Sequence, residues 1–203
     1  MSPGELGRAL DAGFCEAPAE TVARALLGSL LESTVGGESA VGRIVETEAY
    51  TGPEDPASHA ARRIGRTRRN AAMFGPPGTA YVYRIYGIHW CLNIVTDVED
   101  FPSAVLIRAI EAVEGLQVMR TRRTKRTPIP DAALGSGPGN VACALGVNGD
   151  LDAHPLDRPP LRLLHGPAVS DGDVERGPRV GITRAADWPL RFFVRGSPAV
   201  SRR

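Results

Sequence analysis

The chain has 203 residues, 42% of them hydrophobic and 23% charged, which is the balance of a globular domain long enough to bury one core. Its 23 glycines and 17 prolines speak for many turns and against a helical bundle. The formal net charge is only +1, so the molecule as a whole does not attract a polyanion, and a nucleic-acid partner would have to be met by a local basic face.

In chain order, Met1–Asp11 lacks the basic-then-apolar layout of a signal peptide. Pro18 to Leu31 is predicted as an amphipathic helix, with Val22, Ala23, Leu26, Leu27 and Leu30 on one stripe. After Gly36-Gly37, Val41 to Tyr50 is predicted as a strand ended by Thr51-Gly52-Pro53. Pro53 to Gly78 is a loop-rich excursion long enough to suggest function. Two β-prone runs, Tyr81–Tyr86 and Cys91–Val95, flank Gly87 as a hairpin. Ala104–Ile110 is a further strand and Leu116–Arg123 a helix; Thr124–Leu134 is a basic surface loop, and Val141–Leu145 a short helix opened by Gly137-Pro138-Gly139. Leu161–Leu164, Arg179–Thr183 and Leu190–Val194 are closing strands. There is no internal repeat and no domain linker, so residues 1–203 are taken as one domain, with 1–15 and 198–203 as flexible tails. No apolar run reaches membrane-spanning length. Cys15, Cys91 and Cys143 suit reduced thiols inside a cell, and no Cys/His set has metal-ligand spacing, so no metal or cofactor is proposed.

The chemistry clusters between Glu46 and Arg108. Period two puts Glu46, Glu48 and Tyr50 on one side of a strand, and a carboxylate beside an aromatic suits water activation next to a stacked planar substrate. Taken alone, two solvated acids on an exposed face is the commoner reading. Arg62, Arg63, Arg66, Arg68 and Arg69 form a basic run able to meet phosphates, or simply a solvated loop. Tyr86 stands beside Gly87 at the hairpin tip, where a core aromatic has little to pack on and a wedge into a base stack has a use. Asn93 on the return strand is able to hydrogen-bond a base edge, though taken alone a buried structural amide is the commoner reading. Arg108 interrupts an apolar strand and needs a buried partner, for which Glu48 is the candidate.

These segments carry a resemblance. Arg43–Tyr50, Gly52–Asp55, Arg69-Asn70, Met73-Phe74, Tyr81–Tyr83, Ile85–Gly87, Cys91, Asn93, Val105–Ala109, Ser136–Pro138, Arg179–Gly181 and Val194–Pro198 are similar to the alkyladenine (3-methyladenine) DNA glycosylase family, in order and spacing, from about Ala17 onward. The resemblance implies an α+β fold, a single mixed domain around a curved antiparallel sheet with a protruding β-hairpin. It implies an enzyme of base-excision repair that flips damaged purines out of double-stranded DNA and hydrolyses the N-glycosidic bond. Glu48 then matches the general base, with Arg108 and the main-chain carbonyl of Val180 holding the water. Tyr50 on one side, and His59 and Tyr83 on the other, match the walls of the base pocket. Asn93 matches a residue that crowds the guanine amino group, and Tyr86 the intercalating residue. Arg66 and Arg69 are the candidate backbone contacts. The implied partner is damaged double-stranded DNA, met by a monomer that works without a membrane, in the cytoplasm (at the nucleoid) of a bacterium or the nucleus of a eukaryote. Arg68 where the family often has proline, and Asn140 where it often has lysine, are departures that bear on DNA affinity. A non-catalytic damaged-DNA-binding module and a tRNA-binding accessory domain related to formyl transferases are the competing classes. Glu48 together with Arg108 argues against the first, since binding alone needs no buried acid, and the second does not call for Glu48, Tyr50 and His59 together.

Overall fold

The fold is organised by one long strand whose two edges are both paired. In the computed structural model, which describes residues 7–123 and 128–201, this strand is β2 (Ala40–Tyr50), with β1 (Leu30–Ser33) before it. The strands after it are β3 (Ala80–Ile85), β4 (His89–Thr96), β5 (Ser103–Glu114), β6 (Gly135–Ser136), β7 (Leu161–Leu164), β8 (Val174–Gly177) and β9 (Arg191–Val194). All pairings among them are antiparallel, in the order β3-β4-β5-β2-β1-β7, with β6 on β5 and the β8–β9 pair joined to β2. One edge of β2 follows β5; the other meets β1 over Ala40–Arg43 and then β9 over Glu46–Glu48. The exchange of partners coincides with irregular register between Ile44, Glu46 and Thr47, the kind of bulge that bends a strand and re-aims side chains. Together with the three α-helices among the described residues, α1 (Ala19–Ala25), α2 (Leu116–Arg122) and α3 (Pro138–Leu145), this is the α+β architecture the resemblance implied.

Alternation along β3, β4 and β5 divides the side chains between two apolar clusters. Val82, Ile94, Val105 and Ile107 join Val22, Leu26, Ile44, Val141 and Leu145 in the main core. Their neighbours Tyr81, Val95 and Ala104 point the other way, into a smaller cluster with Ala60 and Met73 from the long excursion. Because β5 is covered on both faces, its run from Ala104 to Ile110 reads as nearly continuous apolar sequence. Each fully buried leucine or isoleucine there contributes about 1.5–3 kcal/mol.

Several predicted boundaries are corrected. The helix expected over Pro18–Leu31 stops at Ala25, and Leu30 and Leu31 belong to a strand. Gly28 breaks it: its φ is +92°, and a Cβ there would lie 2.0 Å from the carbonyl oxygen of Pro167. The apolar stripe misled because two of its members, Leu26 and Leu27, are buried past the end of the helix as well. α3, by contrast, opens at Gly137-Pro138-Gly139 as expected, with Pro138 in its first turn and Gly146 in the left-handed conformation after its end. Arg179–Thr183 is an irregular segment, while the strand that pairs with β9 lies at Val174–Gly177. The segments expected as tails are partly packed: Leu10, Cys15, Ala199 and Ser201 are buried, and Ala9 bridges to Leu164. Residues 1–6 and 202–203, and 124–127 of the predicted basic loop, lie outside the described residues.

The excursion after β2 is clamped to the segment after β8 by a buried ion pair. Arg179 Nη2 donates to Asp55 Oδ1 at 2.8 Å, Nη1 also bonds Asp55, and Nη1 reaches the carbonyl of Ala49 at 2.9 Å. Both side chains are 0% exposed. Asp55 in turn accepts the amides of Thr51 and Ala57, so one carboxylate fixes the start of the excursion. Removing one partner strands a buried charge. Asp55→Ala is expected to lose about 3–5 kcal/mol of stability, a fall of roughly 6–20 °C in thermal midpoint for a chain of this size. A midpoint within about 2 °C of wild type in a thermal melt would show that the clamp is dispensable.

Candidate active site

Between the excursion, the hairpin of β3 and β4, and the segment at Val180 lies a cleft of about 290 Å³. That is at the small end of ligand sites, which run from about 300 to 1,000 Å³, and suits a single planar base. Its walls include Tyr50, His59, Tyr81, Tyr83 and Asn93. His59 meets Tyr83 edge to face with ring centroids 4.4 Å apart, and its Nδ1 pairs with the Tyr81 hydroxyl at 2.8 Å. Burial, and then the charge of Arg69, lower the His59 pKa, so the ring is neutral at neutral pH. Burial likewise raises the phenols of Tyr50, Tyr81 and Tyr83, which stay protonated. Asn93 is buried, and its side-chain amide donates to the carbonyl of Tyr81 at 2.9 Å, which fixes the direction of the group facing the cleft.

Glu48 lies directly beneath this cleft, 0% exposed, and the groups that hold it are themselves part of the lining. Its Oε1 accepts the amide of Val180 at 2.7 Å and faces Arg108 Nη1 at 3.3 Å, while Oε2 accepts the Tyr50 hydroxyl at 3.1 Å. The partner expected for Arg108 is therefore the one observed. The resemblance pointed to the carbonyl of Val180, whereas the contact seen runs from its N–H to Glu48; that amide is spent on a side chain, which is one reason this segment is not a strand. Burial raises the Glu48 pKa; Arg108, the Val180 amide and Tyr50 pull it back, and Glu46 pushes it up. A buried acid with a raised pKa, at the bottom of an aromatic cleft, is equipped to take a proton from water.

Glu46 has a different fate. Its carboxylate is saturated by Arg191 Nε at 2.6 Å and the amide of Ser201 at 2.7 Å, with Arg108 Nε at 3.3 Å. Of the two acids on this side of β2, Glu46 is committed to structure and Glu48 is the one beside the cleft.

Tyr86 is 85% exposed at the hairpin tip and has φ +52°, followed by Gly87 at +68°. A bulky residue in the left-handed region stores roughly 1–3 kcal/mol of strain, and strain held where nothing packs against the ring points to use outside the fold. Arg66 and Arg69 are exposed. Arg66 lies over Phe74 and 3.5 Å from Asp100, and Arg69 lies over Tyr83 with a bond to the carbonyl of Arg84. Sequence reading missed the parts played by Tyr81, Asp55, Arg179, Glu46, Arg191 and Ser201. Arg191 carried the same signal as Arg108, a charge inside an apolar run, and Asp55 and Arg179 stood in quoted motifs without a role. Among the described residues, no group of three or more His, Cys, Asp or Glu could hold a metal ion, and no helix is long and apolar enough to cross a membrane.

Comparison with known proteins agrees with this geometry. The profile of the family described as Methylpurine-DNA glycosylase matches residues 13–198. A relative from Rhodopseudomonas palustris is 47% identical over 202 residues, 98% of this chain and 94% of its own length. Another from Myxococcus xanthus is 45% identical (95% and 93% covered), and one from Methanoculleus marisnigri is 48% identical (96% and 99% covered). All three are named, provisionally, as 3-methyladenine DNA glycosylases. With an aromatic cleft above a buried acid, and a family match that runs through nearly the whole chain, this protein belongs to the methylpurine-DNA glycosylase family.

Proposed function

We propose that the protein is a monofunctional DNA glycosylase of base-excision repair. It acts on purines of the 3-methyladenine, 7-methylguanine, hypoxanthine and ethenoadenine class, as a monomer on double-stranded DNA. The observation that carries this reading is Glu48, buried, hydrogen-bonded to Val180 and Tyr50 and ion-paired with Arg108, three groups that line a base-sized aromatic cleft.

The steps follow from the residues. A base inside the duplex is out of reach, so the nucleotide is first extruded, at a cost of a few kcal/mol that is smallest for damaged or mispaired bases. Tyr86 fills the gap in the stack. The purine enters between Tyr50 and the His59–Tyr83 wall, and a neutral aromatic sandwich attracts the cationic ring that alkylation creates. Neutrality of His59 matters here, since an imidazolium would repel that ring. Asn93, held by Tyr81, crowds a guanine amino group and so disfavours undamaged guanine. Glu48 then takes a proton from water as the water oxygen bonds the anomeric carbon and the bond to the purine nitrogen breaks, its electron pair staying with the purine, which leaves neutral if it was a cation and takes up a proton from solvent if it was not. The products are the free base and an abasic site. The carboxylate also faces the positive charge that develops on the sugar. Arg108 orients Glu48 and favours its ionised form against the pull of burial. No lysine stands in the motif region to form a Schiff base, so no strand cleavage follows.

Glu48→Gln keeps the shape of the site and removes the base. Single-turnover excision should collapse while binding to damaged DNA persists, and excision near the wild-type rate would refute the assignment. In the wild type, rate should fall with pH along an acid limb whose midpoint lies above the ordinary 4.5, because burial raises Glu48 and only its ionised form is a base. The linked effect on stability has a definite sign. A carboxyl raised on folding favours the fold when protonated and loses that contribution as pH rises through its folded value. Glu48→Gln should therefore not lower the thermal midpoint at neutral pH.

Tyr86→Ala should lower the population of flipped complex about ten- to hundredfold, from stacking worth roughly 1–3 kcal/mol, as read by the fluorescence of an ethenoadenine duplex. Its thermal midpoint should hardly move, since the ring is exposed. Normal flipping with slow hydrolysis would instead place Tyr86 in the chemistry.

For Arg66→Ala and Arg69→Ala, plots of log affinity against log salt should each lose about one unit of slope if these side chains meet phosphates. Unchanged slopes in both would make the run a solvated loop.

A further inference from the structure

The family match ends at residue 198, yet the chain continues into the centre of the site's supporting structure. Ser197 donates its hydroxyl to Glu111 at 2.6 Å, and Ala199 is fully buried against Val45, Ala109 and Val194. These two anchors deliver Ser201 to the buried charges behind Glu48. There its amide donates to Glu46 at 2.7 Å, its carbonyl accepts Arg191 at 3.2 Å, and its hydroxyl oxygen accepts both Nε and Nη2 of Arg108, at 3.2 and 3.1 Å.

A guanidinium is a rigid plane, so gripping one edge determines where the remaining nitrogen points. Nε and Nη2 form the edge taken by Ser201, and Nη1 is the nitrogen left over, 3.3 Å from Glu48 Oε1. We infer that Ser201 is a positioning residue for the reaction: its hydroxyl holds one edge of Arg108 so that the opposite nitrogen is aimed at Glu48. This rests on Glu48 being the base. The backbone of Ser201 serves the fold through Glu46 and Arg191, and its side chain serves the site, so the two roles can be separated by removing the hydroxyl alone.

Glu48 is faced by Arg108 from β5, by Arg191 from β9 (committed to Glu46), by Cys91 from β4, by Glu46 and Tyr50 of its own strand, and by the Val180 amide. Among these, Arg108 is the cation that favours the ionised base. If Ser201 no longer fixes it, the ionised state is less favoured and the acid limb of the excision profile should move to higher pH.

The test is single-turnover excision from a hypoxanthine-containing duplex across pH, using the full chain with Ser201→Ala, Ser201→Thr and Glu48→Gln. For Ser201→Ala the rate constant should drop roughly ten- to hundredfold, the penalty of a small misplacement in a catalytic constellation. Its acid limb should shift upward while binding to the duplex is kept. Ser201→Thr retains a hydroxyl and should recover most of both. A wild-type rate constant and limb in Ser201→Ala would overturn the inference. So would a loss of reaction amplitude alone, because that marks unfolded protein and leaves the surviving molecules unaltered. Excision by Glu48→Gln at the wild-type rate would bring down the reading of Glu48 itself. A dead Glu48→Gln beside an unaffected Ser201→Ala removes only the role of Ser201.

Discussion

Arg108 is a full positive charge in the middle of a strand covered on both faces, and much of the structure is arranged to make that tolerable. An ion of this size left unpaired in a protein interior costs several kcal/mol even after relaxation. Two carboxylates answer it, Glu46 and Glu48, two residues apart on the neighbouring strand and therefore on the same side of it. Two acids on one cation leave an excess of negative charge, which Arg191 offsets by pairing with Glu46. The bulge in β2 and the change of partner strand from β1 to β9 bring Arg191 to that place. The result is an asymmetric pair of acids. Glu46 is fully committed to the cluster, and Glu48 retains a raised pKa beside a cleft.

The cleft above it is built on a complementary rule. Apart from Arg108 at its base, its walls are neutral aromatic, aliphatic and polar groups, and burial keeps the tyrosines and His59 neutral by raising the phenols and lowering the imidazole. Such walls are suited to a cationic planar ring and place no fixed charge against it. Their orientations are determined by contacts among themselves, His59 with Tyr81 and Asn93 with the Tyr81 carbonyl, so a residue that belongs to the smaller apolar cluster also sets the geometry of two wall groups.

Rigid and exposed parts are divided along the chain in a way that suits extrusion of a base. The walls stand on paired strands and on an excursion clamped through Asp55 and Arg179, whereas the wedge candidate Tyr86 stands alone at a tip in a strained conformation. Core packing therefore does not dictate its identity, and its ring is free to make contacts outside the fold.

The sequence alone determined the strands with clear periodicity, the hairpin with its tip tyrosine, and the demand that Arg108 find a buried acid. Each of these is a local matter of alternation, turn chemistry or desolvation of one charge. It also carried the ordered motifs from which the family resemblance, and with it the α+β fold, followed. Only the tertiary structure decided the remainder. Gly28 ended a helix that the apolar stripe would have extended, because the carbonyl of Pro167, far away in sequence, leaves no room for a side chain. The Arg179 segment gave up strand pairing to put its guanidinium on Asp55 and the next amide on Glu48. Ser201 looked like part of a tail, and is buried because Ala199 and Ser197 find partners on strands about ninety positions earlier. Which of two acids is left beside the cleft, and which serine bonds Arg108, depends on contacts between distant segments. Local periodicity contains no record of those, since each group's partner is set by how the sheet bends.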